Sequence, residues 1–121
     1  LGNMASLEYS SDLIVAEINN EVVGAVALVH PGNDNNKNIH PLWASIRMLV
    51  VSPKHRSKGI GKQLALECLK IAKSRGFKEV ALFTSPIMEV ALHMYLRMGF
   101  KKVKPIEPIS GVEYDLYKLE I

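Results

Sequence analysis

The residues Val51-Ser52-Pro53-Lys54-His55-Arg56-Ser57-Lys58-Gly59-Ile60-Gly61-Lys62 join an apolar run to a helical pattern through two glycines one residue apart. The first turn of a helix has backbone N–H groups without intrahelical partners, and the helix dipole adds partial positive charge there. Glycines let an anion approach those N–H groups closely, so such a start is suited to phosphate. Arg56, Lys58 and Lys62 add full charges, and an arginine can grip a phosphate with two parallel hydrogen bonds. Two familiar phosphate loops are excluded. Five residues after Gly59, where a P-loop needs its second glycine, stands Leu64. The same Leu64 occupies the third small position of a dinucleotide fingerprint. What remains is R-x-x-G-x-G after a strand, and a glycine turn without a ligand also fits so short a pattern.

The second candidate is Tyr95, inside Ala91-Leu92-His93-Met94-Tyr95-Leu96-Arg97-Met98-Gly99-Phe100. A phenol titrating near pH 10 is neutral at pH 7 and can give a proton to a stronger base. The plain alternative is a core aromatic on an amphipathic helix. Cys68 falls on an apolar helical stripe and reads as a small core residue. His30 and His40 have no second ligand cluster at metal spacing, so no metal site is expected. His40, His55 and His93 read as surface or packed histidines. Trp43 either anchors the sheet or lines a pocket.

These residues need elements to hold them. Residues 13–18 and 22–29 are β-rich runs around Asn19-Asn20-Glu21, which predicts a hairpin. Residues 30–41 carry Pro31, Gly32 and several Asn or Asp, and read as a polar loop that buries no face. Residues 43–51 form a strand, with Met48-Leu49-Val50-Val51 apolar on both faces as in a buried central strand. A helix follows over 59–75, with Ile60, Leu64, Cys68, Leu69, Ile71 and Ala72 at helical spacing and Gly76 at its end. Residues 79–84 are a strand. Ser85 then caps a helix with Pro86 in its first turn, running to Met98 and stopping at Gly99. Strands over 100–103 and 113–121 close the chain. The order ββ-β-α-β-α-ββ implies a right-handed βαβ crossover within a mixed sheet. The fold class is therefore α/β, with α+β character: a mixed central sheet with flanking helices.

The two motifs, in register and separated by one helix and one strand, resemble the signatures of the GNAT superfamily of N-acetyltransferases. The resemblance covers nearly the whole chain. It implies an acyl-CoA N-acyltransferase fold whose central parallel strands splay apart, with acetyl-CoA as cosubstrate and an amine as acceptor. The pantetheine arm would pair with the backbone of Leu49 and Val51, and the N–H of Val50 or Val51 would face the acetyl oxygen. The pyrophosphate would lie on Arg56, Ser57, Lys58, Gly59, Ile60, Gly61 and Lys62. Tyr95 would be the general acid. Met88 stands at a cofactor position where relatives often carry asparagine, and Ser45 stands about where many carry a glutamate base. Relatives ordinarily begin with a strand and two helices, whereas only residues 1–12 precede the hairpin here. The acceptor side is then open, completed by a second subunit, or part of a longer protein. A non-catalytic acyl-CoA sensor, or a fragment of a larger acyltransferase, is the alternative reading.

Bulk properties agree with one domain over residues 1–121. Hydrophobic residues are 48% and charged residues 22%, ordinary for a globular chain. The net charge of +3 is spread rather than blocked, and no aromatic residues interleave with the cations of the glycine loop, so nucleic-acid binding is not expected. No run approaches a membrane span, and no signal-peptide layout opens the chain, so membrane association is not expected and the cytoplasm is the expected location. The surplus of apolar residues in the hairpin predicts a homodimer.

Overall fold

The computed structural model describes residues 10–121 and the backbone of residues 2–7; Leu1, Glu8 and Tyr9 lie outside the described residues. Strands β1 (Gly2–Leu7), β2 (Ser11–Ile18), β3 (Glu21–Val29) and β4 (Ala44–Val51) lead to a 3-10 turn (Pro53–His55) and helix α1 (Ile60–Ser74). Strand β5 (Glu79–Thr84), helix α2 (Glu89–Arg97) and strands β6 (Lys101–Pro105) and β7 (Asp115–Glu120) complete the chain. One sheet holds all seven strands in the order β1-β2-β3-β4-β5-β7-β6. Only β4 and β5 are parallel; every other neighbouring pair is antiparallel. The mixed sheet is as expected. The N-terminal lead, expected to hold no element, instead supplies edge strand β1 against β2.

The hairpin between β2 and β3 turns at Asn19 and Asn20, both at positive φ (50° and 65°). Asparagine tolerates that conformation, and the primed turn it makes matches strand twist. Both helices pack on one face of the sheet. Ile60, Leu64, Cys68 and Ala72 of α1 and Tyr95 of α2 share a core with Ile14, Val26, Leu28, Ile46, Val80 and Leu82. Gly24 lets α1 come close: a Cβ there would stand 3.0 Å from Leu64 Cδ1 and 3.1 Å from the Val50 carbonyl oxygen. At the far end of α1, Arg75 Nε and Nη2 donate to the buried Asp12 carboxylate at 2.8 and 2.7 Å. His30 Nε2 lies 2.9 Å from the same group, which joins β2, the end of β3 and α1.

The opposite face has its own small cluster of Ile39, Ala81 and Leu116, with Trp43, Phe83 and Ile106 against it. Ile39 comes from the 30–41 loop, so that loop does bury a residue, contrary to the sequence expectation. Trp43 serves the sheet: it packs in this cluster under Lys118 Nζ, 4.9 Å from its ring centroid. Among the described residues no helix is long and apolar enough to cross a membrane.

Candidate functional site

The two parallel strands barely touch. Their ladder joins Ala44 to Val80 and Ser45 to Ala81, and no further pair. Beyond Ser45 the strand β4 leaves β5 and stays with β3 alone. A bulge drives that divergence. Ala25 of β3 pairs with Val50 and Ala27 with Arg47, so Met48 and Leu49 together face the single Val26. Met48 takes φ 59°, a conformation that costs a non-glycine residue and that bulges at functional sites often hold. The bulge also corrects the expectation of a strand buried on both faces. Leu49 and Val51 reach the helix-side core, but Met48 is 81% exposed and Val50 60%. The splayed half of β4 thus presents backbone and apolar side chains to an open V.

The glycine loop sits at the mouth of that V. Ser52 N–H donates to the Val23 carbonyl at 2.7 Å and ties the strand end to β3. Ser57 (φ 65°) and Gly59 (φ 77°) then take left-handed conformations. Gly59 is the N-cap of α1 and has no side-chain cap, so the first N–H groups of the helix stay open. The helix starts at Ile60, one residue later than expected. Ile60 is buried and anchors the loop to the core, while Arg56, Ser57, Lys58, Gly59 and Lys62 are exposed around the helix start. A Cβ on Gly61 would meet nothing closer than Val51 Cγ2 at 3.7 Å. Its lack of a side chain is therefore not required by packing inside the protein. His55 Nδ1 is buried without a partner among the described residues.

Tyr95 lies in the helix-side core that also receives Leu49 and Val51. It is 5% exposed and packs edge-on against Phe100, with ring centroids 5.5 Å apart. Gly99 explains the spacing of the motif. At φ 102° it reverses the chain, so that Phe100 N–H donates to the Tyr95 carbonyl at 3.0 Å and the two rings meet. Burial, and then the neighbouring Cys68, push the Tyr95 phenol above its ordinary range, so it holds its proton. The start of α2 differs from expectation. Ser85 and Pro86 do not cap it. They form a turn in which Met88 N–H donates to the Ser85 carbonyl at 2.8 Å, and the helix begins at Glu89 with Met88 as an N-cap that lacks a side-chain bond. Met88 is exposed beside Ile87 and Val90 at the C-terminal end of β5. Thr84, the last residue of β5, is buried with its hydroxyl unpaired among the described residues.

A splayed parallel pair with an uncapped glycine-led helix at its mouth is the geometry of an acyl-CoA fold, and the comparisons agree. The sequence model of the acetyltransferase (GNAT) family matches residues 4–100. The chain belongs to that family. N-acetyltransferase 8F1 of Rattus norvegicus is 40% identical over 88 residues, covering 73% of this chain and 38% of that protein. N-acetyltransferase 8B of Homo sapiens is 37% identical over 95 residues, covering 78% and 40%. The chain thus spans about two fifths of the length of these relatives. A GNAT family acetyltransferase from Elizabethkingia anophelis with acetyl-CoA bound has the same fold, with a TM-score of 0.72 at 24% identity, over 94% of this chain and 78% of that one. Ribosomal-protein-alanine N-acetyltransferase from Brucella melitensis gives a TM-score of 0.77 at 15% identity, over 94% and 71%.

On the sheet face away from the helices, this GNAT chain holds a group that sequence reasoning missed. Ser45 is fully buried, and its Oγ donates to Asp34 Oδ2 at 2.6 Å. Arg47 Nη1 donates to both Asp34 oxygens at 3.1 and 3.0 Å, and the Asn36 N–H donates to Oδ1 at 2.8 Å. The Asp34 carboxylate therefore already accepts bonds from three groups. No signal in the sequence joins Asp34 to a strand that begins ten residues later; only the folded loop brings them together. His40 and His93, read as surface or packed histidines, are so placed: His40 Nδ1 accepts the Leu42 N–H at 3.0 Å, and His93 is exposed on α2.

Proposed function

We propose that the chain is an acetyltransferase domain that passes the acetyl group of acetyl-CoA to a primary amine in a ternary complex. The observation that carries this reading is the V between β4 and β5, with an uncapped helix start and its cations at the mouth. The edge of Leu49, Val50 and Val51 that no longer faces β5 partners would hold the pantetheine arm as an added strand. Arg56, Ser57, Lys58, Gly59, Ile60, Gly61 and Lys62 would hold the pyrophosphate, and Met88 would border the arm from the β5 side. The neutral amine attacks the thioester carbon, the oxyanion takes an N–H of Val50 or Val51, and the C–S bond breaks. Tyr95 gives its proton to the departing thiolate, the nitrogen's surplus proton passes to solvent, and solvent returns a proton to the Tyr95 phenolate. The phenol is protonated at neutral pH, as a donor must be. We further propose that the domain works in the cytoplasm as a homodimer.

A second reading, an acyl-CoA sensor without transfer, draws support from the fully engaged Asp34 and from Ser45 in place of a base. One experiment separates the two. The chain is titrated with acetyl-CoA alone, then incubated with acetyl-CoA and a panel of α-amino acids, peptide N-termini, lysine peptides and polyamines, with products read by mass spectrometry. Transfer to any acceptor supports the enzyme. Binding without transfer supports the sensor, and absence of binding sinks both.

A further inference from the structure

We propose that Arg47 is a positioning residue of the transfer reaction, a strap that sets the width of the V on the face away from the helices. The inference rests on the transfer reading. Backbone pairing between β4 and β5 ends at Ser45 and Ala81, so hydrogen bonds no longer fix the strand separation beyond them. On the helix face, Leu49, Val51 and Leu82 share a core that spans the gap. On the other face Ile39 and Trp43 pack against Ala81, Phe83 and Leu116 around the last backbone pairs, and past those pairs Arg47 reaches across from β4. The Arg47 guanidinium carbon lies 5.7 Å from the ring centroid of Phe83, two residues past the last pair of β5. That distance is within the range of a cation–aromatic contact.

The other end of the strap is fixed. Nη1 of Arg47 is held by both oxygens of Asp34, which is itself locked by Ser45 and by the Asn36 N–H. Asp34 is 5% exposed and Arg47 40% exposed, so the anchor is sheltered while the guanidinium keeps access to solvent. Nη1 meets both Asp34 oxygens while the rest of the extended guanidinium lies over the ring; the compact ammonium of a lysine is a single point charge and does not span both. The thioester and the amine meet in this V, and a displacement of about 1 Å between reacting groups is worth roughly a hundredfold in rate. A strap of this kind is therefore felt in the chemical step. The phosphate loop and the β4 backbone lie beyond it and keep their hold on the cosubstrate.

The test measures kcat, the KM for acetyl-CoA and thermal unfolding for Arg47→Met, Arg47→Lys, Phe83→Leu, Phe83→Tyr and the Arg47→Met/Phe83→Leu pair, using acetyl-CoA and the best acceptor of the panel above. Arg47→Met and Arg47→Lys are expected to lower kcat by roughly ten- to a hundredfold, with the KM for acetyl-CoA within about twofold. Phe83→Leu should match Arg47→Met, Phe83→Tyr should keep near-normal kcat, and the double variant should be no worse than either single change. A kcat within about twofold of the wild type in Arg47→Met overturns the proposal, as do losses that multiply in the double variant. If the Arg47 variants do not fold, the Phe83→Leu and Phe83→Tyr pair decides alone. A wild-type chain that transfers to no amine removes the transfer reading and this one with it, an outcome distinct from active, equal variants.

Discussion

Tyr95 and Cys68 are both buried in the helix-side core, and each offers a test. The Tyr95 hydroxyl makes no hydrogen bond among the described residues, so its removal leaves no partner stranded. Tyr95→Phe is expected to unfold within about 1 kcal/mol of the wild type and to keep its acetyl-CoA thermal shift. Its kcat should fall about 10²–10⁴-fold, as for a lost proton donor. Equal turnover with chemistry rate-limiting would take Tyr95 out of the mechanism. Cys68 is fully buried, and its thiol is pushed from 9.0 up to about 12, first by burial and then by Asp12 and Glu67. The sign follows from proton binding. Between those two values the unfolded chain releases the thiol proton while the folded one keeps it. The stability from this group is whole below about pH 9 and declines as pH climbs toward 12. Denaturant melts across that window should show a shallower alkaline loss in Cys68→Ala than in the wild type. Identical slopes would mean the thiol is not sealed.

At the scale of elements, the glycines divide by what they serve. Gly61 has room for a side chain, so Gly61→Asp is expected to leave the fold intact while abolishing the acetyl-CoA thermal shift, because a carboxylate would stand at the anion position. An unchanged shift would remove the loop from the binding site. Gly24 lacks that room. Gly24→Ala should cost about 1–3 kcal/mol by forcing α1 off β3, read from urea melts. The loop and the Tyr95 helix were legible in the sequence because each is a local pattern. A glycine at a helix start and a tyrosine four residues before a chain-reversing Gly99 depend on neighbours along the chain. Three features were not legible. Met48 looked buried because composition does not reveal that a bulge turns it outward. Ser85-Pro86 looked like a cap, but the pair is spent on a turn that carries the chain away from β5. Asp34 joined β4 only through the path of a loop whose sequence is merely polar. In each case the deciding contact is long-range or geometric, where local propensity is silent.

The whole molecule is held together unevenly. Asp12 is buried and links the start of β2, the end of β3 and the C-terminal end of α1. Asp12→Ala leaves Arg75 without its carboxylate but with access to solvent, and a loss of about 1–3 kcal/mol is expected in thermal or urea unfolding. Self-association is less forced than the hairpin's composition suggests, because Ile14, Val23, Val26 and Leu28 are all buried and only Ile18 and Val22 of that hairpin stand out. Sedimentation at micromolar concentration is expected to show a dimer; a clean monomer would end that part of the proposal. The narrow β4–β5 ladder has a consequence for how the chain can be cut. Residues 2–74 contain β1 to β4 and α1, and residues 79–121 contain β5 to β7 and α2, so each leaf of the sheet is one continuous stretch. Two backbone pairs, the helix-side core and the smaller cluster around Trp43 and Phe83 on the other face join the leaves. Cleaving the chain at the exposed Gly76, where φ is 82°, would give two pieces, each with its own strand ladder. A cosubstrate lying between the leaves would bind only the reunited pair and so draw the pieces together by mass action. Acetyl-CoA would then act as the glue of a split protein, reporting its own concentration through reassembly.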